Sequence, residues 1–92
     1  MRVQVLLSVQ RGLLGEVTPD LRAVAVAWST GCVIGRFYYE RAITDDMVEC
    51  VNEIETSVMA DFPDVEVRFA AVSAPEGTEM DALEAWAYVR AE

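Results

Sequence analysis

Neither histidine nor lysine occurs anywhere in this 92-residue sequence. Without histidine, the chain lacks the commonest general base, the commonest metal ligand and the usual switch near neutral pH. Cysteine is scarce as well. Cys32 and Cys50 stand far outside any CxxC spacing, so the expectation is two reduced thiols in a cytoplasmic protein rather than a disulfide. No stretch approaches the roughly 20 apolar residues needed to cross a bilayer. Val3 to Val9 is a short apolar run without a convincing cleavage site, which again points to the cytoplasm and away from a membrane partner. Asp45, Asp46 and Glu49 do not follow an EF-hand pattern. Paired carboxylates can hydrolyse glycosides, but they need a cleft that so small a domain hardly offers. The sequence therefore predicts no catalysis, no cofactor and no metal.

What is present is acid. Sixteen Asp and Glu face seven basic residues, all of them Arg, for a formal net charge of -9. That balance disfavours binding to nucleic acid, and suits either plain solubility or a basic protein partner. The apolar fraction of 53% is above the roughly 45–50% usual in soluble domains, so some apolar surface is left over for contact. The length admits one domain, residues 1–92, burying roughly 60–65% of its unfolded surface.

The most legible stretch runs from Thr44 to Pro63. Met47, Val51, Ile54 and Val58 recur at alternating spacings of four and three residues, with Phe62 completing the row, and so line one side of a helix. Thr44 is placed to cap it, and Asp45 and Asp46 lie at the positive end of its dipole. Pro63 stops it. Asp46, Glu49 and Glu53 stack on the opposite side with no cation between them. Like charges at such spacings cost a few tenths of a kcal/mol. A solvated face would explain them; a docking surface for a basic partner, speeding association, is the sharper alternative.

Around this helix the chain alternates between the two periods. Residues 2–15 satisfy both a strand and a helix pattern, and Leu and Gln content favours the helix, with Val3, Leu6, Leu7, Gln10, Leu14 and Val17 at helical spacing. Strands are expected over Leu21–Ser29, Cys32–Glu40, Val65–Ala71 and Leu83–Ala91, with a loop over Ser73–Asp81 and one helical turn at Thr78–Ala82. The order αββαββ predicts an α+β two-layer sandwich, with two helices on one face of a four-stranded antiparallel sheet. A right-handed crossover that skips one position would give the spatial order 1-2-4-3, a circularly permuted ferredoxin-like arrangement; a row of neighbouring hairpins is the alternative. Met47, Val51, Ile54, Val58, Val67 and Phe69 are the expected core.

Such a sheet leaves one face uncovered. Strict alternation puts Trp86, Tyr88 and Arg90 together there, joined by Arg36 and Tyr38 and by Glu66 and Arg68. Trp, Tyr and Arg are enriched at binding hot spots. An ordinary solvated sheet with cross-strand cation–π pairs would look the same. Base stacking on such a face has no support from an RNP-type strand signature.

Several blocks carry a likeness: Leu13-Leu14-Gly15-Glu16-Val17-Thr18-Pro19-Asp20-Leu21-Arg22-Ala23-Val24, Trp28, Phe37-Tyr38-Tyr39-Glu40, Asp61-Phe62-Pro63 and Trp86-Ala87-Tyr88-Val89-Arg90-Ala91-Glu92. Together they resemble a group of small acidic bacterial proteins, some described as immunity proteins of colicin or contact-dependent-inhibition toxin systems. The resemblance covers most of the chain and transfers no catalytic residue. It implies a cytosolic protein that binds a cognate toxin domain and blocks its active site. A homodimer pairing through the open sheet face is the competing expectation.

Overall fold

A computed structural model of the chain describes residues 2–90. The elements are α1 (Arg2–Gly12), β1 (Leu21–Ser29), β2 (Cys32–Tyr39), α2 (Asp45–Asp61), β3 (Glu66–Ser73) and β4 (Ala85–Val89). Ala91, where the sequence placed the end of the last strand, lies outside the described residues. The α+β two-layer sandwich stands as expected. Val5 and Val9 of α1, Leu13 just after it, and Met47, Val51, Ile54 and Val58 of α2 pack on Val24, Val26, Val33, Phe37 and Val67 of the sheet.

Strand order and direction differ from the expectation. The sheet runs β3-β2-β1-β4, with β1 antiparallel to both β2 and β4 but β2 parallel to β3. The sheet is therefore mixed. Because α2 carries the chain from β2 to a parallel neighbour, β3 lies at one edge. The segment after Ser73 must then travel back past β2 and β1 to reach β4. It does so on the face opposite the helices, where Ala74, Val72, Met80 and Leu83 pack on Ala23, Ala25 and Tyr38 as a second small core. No helical turn forms at 78–82; the turn lies at 76–77. Leu83 is held at φ 53, a conformation that bulky residues rarely adopt, while its backbone bridges to Val26.

The predicted helix α2 appears with its stops in place. The Thr44 hydroxyl accepts from the Met47 amide at 3.2 Å, and the Met47 sulfur accepts from the Thr44 amide at 3.4 Å. The face that α1 buries is not the predicted one. Val5, Val9 and Leu13 are inside, whereas Val3, Leu7, Leu14 and Val17 are exposed. Its Val and Leu residues spread over more than half of the helix circumference, interrupted by Gln4, Ser8 and Gln10, so periodicity alone cannot choose its inner side. Two particular contacts choose it. Ser8, fully buried, donates to Asp61 at 2.6 Å, and Gly12 lets α1 approach α2 so closely that a Cβ there would sit 3.0 Å from Ile54 Cγ2. The glycine that weakens the helix locally is what admits the packing.

Candidate protein-binding surfaces

The outer face of α2 is an open surface formed by Asp45, Val48, Glu49, Asn52, Glu53 and Thr56. Asp46, Glu49 and Glu53 are all exposed, and Val48, 43% exposed, forms an apolar spot among the carboxylates. Five arginines are engaged elsewhere. Arg11 pairs with Asp61, Arg36 with Asp81, Arg41 with Asp20, Arg68 with Glu66 and Arg90 with Glu40. Among the described residues, no ion pair reaches Asp45, Asp46, Glu49 or Glu53. The face thus presents uncompensated negative charge, which strengthens long-range attraction to a basic surface.

The second expected surface is broken up. On β4 the register against β1 shifts at Ala87: Trp86 lies opposite Ala25, but Tyr88 lies opposite Val24. A one-residue bulge sends the side chains on either side of it to opposite faces. Trp86 remains on the face away from the helices, edge-on to Tyr38 with ring centroids 6.3 Å apart. Tyr88 packs instead against the helix-side core. Arg90 turns away as well, donating to the Pro19 carbonyl at 2.7 Å and to Glu40. Tyr38 is almost fully buried, its hydroxyl donating to the Asp81 carbonyl at 2.8 Å under the crossing segment. What stays accessible on that side is narrower than the sequence suggested: Trp86, Ile34, Arg36 and Arg68, the last beside Glu66.

Arg22 had no place in the expected site. It is 8% exposed and donates through one terminal nitrogen to the carbonyls of Ala74 and Pro75 at 2.8 and 3.2 Å. Its Nε has no hydrogen-bond partner among the described residues. A guanidinium inside the sheet strand Leu21-Arg22-Ala23-Val24 was the available signal, since a buried charge must find acceptors. Here those acceptors anchor the crossing segment over the back of the sheet.

Between the surfaces, where the turn before β1 meets the end of β2 and the start of α2, a cavity of about 250 Å³ is lined by Thr18, Asp20, Tyr39, Arg41, Thr44, Asp46, Met47 and Cys50. The Cys50 thiol donates to a Glu16 carboxylate oxygen at 3.4 Å. Partial burial, reinforced by Glu16, pushes the thiol pKa up to about 11, so it stays protonated and is a poor nucleophile. Burial raises Tyr39 above its ordinary value too, with Cys50 and Glu16 adding to the effect. No cluster of three or more His, Cys, Asp and Glu side chains suited to a metal occurs among the described residues, and no helix there is long and apolar enough to cross a membrane.

No curated protein matches the chain. The family model described as MafI2 immunity protein matches residues 2–92, nearly the full length. The chain therefore belongs to the MafI2 immunity protein family.

Proposed function

We propose that this protein acts without catalysis, binding a cognate bacterial toxin directly in the cytoplasm and blocking it, and that the toxin surface it meets is basic. The observation that carries the reading is the outer face of α2, whose carboxylates have no ion-pair partner among the described residues although most of the arginines are paired. Family membership supplies the class of partner. Charge on an exposed face mainly shapes approach, whereas desolvated aromatic and Arg contacts hold a complex. The α2 face accordingly steers the encounter. Trp86, on the face of the sheet away from α2 and on the opposite edge strand from Arg68, offers a second, separate contact.

The test is kinetic binding to a candidate toxin domain, sought first in the neighbouring reading frames, measured across a salt series. Neutralising Asp46, Glu49 and Glu53 together should slow association by about tenfold at low salt and flatten its salt dependence. Association that is equally fast and equally salt-sensitive in the triple variant would remove the steering role. A second reading, self-association through the open sheet face, draws on the exposure of Trp86 at 37% and Ile34 at 41%. Light scattering separates the two, because a monomer at high micromolar concentration excludes the dimer.

A further inference from the structure

We infer that the cavity between the 18–20 turn, the end of β2 and the start of α2 receives an arginine or lysine side chain of the toxin. The inference rests on the toxin-binding reading above and names the chemistry of one contact within it. The cavity is built by three separate segments, unlike the open outer face of α2, which a single helix forms. Its volume of about 250 Å³ admits a long side chain and its charged head. The floor is the apolar body of Tyr39 and Met47, 2% and 7% exposed. Such a floor takes the stem of Arg or Lys, whose methylenes pack on apolar surface while the head stays polar.

The rim selects the sign of the charge. Arg41 is the single cation in the lining, and it is bound to Asp20 at 2.9 Å. Asp46 has no ion-pair partner among the described residues, and Glu16 stands just behind Cys50. The hydroxyls of Thr18 and Thr44 supply further acceptors. The positive end of α2 opens here too, but Asp45 and Asp46 already occupy it and Thr44 caps the Met47 amide, so an anion would meet carboxylates and a cation completes Asp46. Asp46 also continues the acidic row of α2, so a partner drawn to that helix arrives with its basic residues beside the opening.

The whole chain is titrated with N-acetyl-arginine methylamide at constant ionic strength and followed by amide correlation NMR, with the neutral citrulline analogue as control. Saturable shifts should be largest at Thr44, Asp46, Met47 and Cys50, and absent with the analogue. Asp46→Asn should weaken the probe about threefold. Thr18→Arg, on an exposed rim, places the chain's own guanidinium at the opening and should weaken it about tenfold or more. Thermal melting of each variant confirms that it is folded. Shifts that fail to saturate, or that are as strong at Asn52 and Thr56 as around the cavity, would overturn the inference in favour of diffuse charge attraction. Toxin binding forms the second arm. If the toxin binds Thr18→Arg with unchanged affinity, the cavity is not the contact, although toxin recognition stands. If the probe saturates the cavity but the toxin does not bind the native chain, the toxin assignment of the cavity falls together with the proposed function.

Discussion

The ring of Phe69 lies directly over Gly35. A Cβ at Gly35 would come within 2.7 Å of Phe69 Cδ1, closer than packed atoms approach. The two residues are register partners in the parallel β2–β3 pair, and Phe69 reaches on across Gly35 to pack at 5.5 Å between ring centroids against Phe37. The glycine makes room for the aromatic pair that ties the edge strand to the core. Gly35→Ala should destabilise the fold by about 1–3 kcal/mol through overpacking, even though alanine lowers the entropy of the unfolded chain. Urea unfolding measures it, and a gain in stability would show that Phe69 moves aside freely.

Ile54 is 1% exposed and packs under Gly12. Ile54→Ala should cost about 2–5 kcal/mol, a large part of the roughly 5–10 kcal/mol available to a small domain. A melting temperature within a degree or two of the native chain would contradict the observed packing of α2.

Trp86 and Tyr88 should behave differently. Tyr88→Ala removes a side chain packed on the helix-side core and should lower stability by about 2 kcal/mol. Trp86→Ala should leave stability within about 1 kcal/mol of the native value and hasten toxin dissociation, at a cost of about 2 kcal/mol in binding. Stability and dissociation rates measured on both variants decide the matter; equal effects would mean that the bulge at Ala87 does not separate the two rings.

Asp61 receives hydrogen bonds from Ser8 and then Arg11, which hold its carboxyl below the ordinary carboxylate value. A carboxyl with a depressed folded pKa contributes stability above its unfolded pKa, and loses it as pH falls through the folded value. Asp61→Asn should therefore flatten the fall of unfolding free energy below about pH 4. In Ser8→Ala the Asp61 carboxyl should titrate at higher pH, which carboxyl NMR reads directly. An acid limb of the same slope in Asp61→Asn would place the dependence elsewhere.

Cys50 is expected to resist alkylation. In a Cys32→Ser background, the rate of reaction with iodoacetamide should rise with pH towards an inflection near 11. Glu16→Gln removes the nearby negative charge and the strongest acceptor of the thiol proton, so the inflection should move down and the reaction at mildly alkaline pH should quicken. An unmoved inflection would mean that burial alone sets the value.

How much of this was legible in the sequence depends on how local each cause is. Helix α2 was readable because Thr44, Asp45, Asp46, Pro63 and the row Met47, Val51, Ile54 and Val58 all act within one or two turns of the chain. The acidic outer face follows from the same period, and the mismatch of acid and base is a property of composition alone. The two-layer class followed from the order of the elements. The inner side of α1 did not, because the selecting contacts Ser8–Asp61 and Gly12–Ile54 join residues distant in the chain. Strand order was decided by whether the path after Ser73 runs beside β3 or back across the sheet, and Arg22, Ala74 and Tyr38 hold it across. Likewise, the sequence alternation of Trp86, Tyr88 and Arg90 carries no mark of the extra residue at Ala87; only pairing against β1 reveals it. The sequence by itself thus determined the helix, its charge and the architecture, which local periodicity and composition govern. Tertiary structure alone decided which aromatic residues face solvent and where a cavity opens, because register and long-range packing arise only between segments.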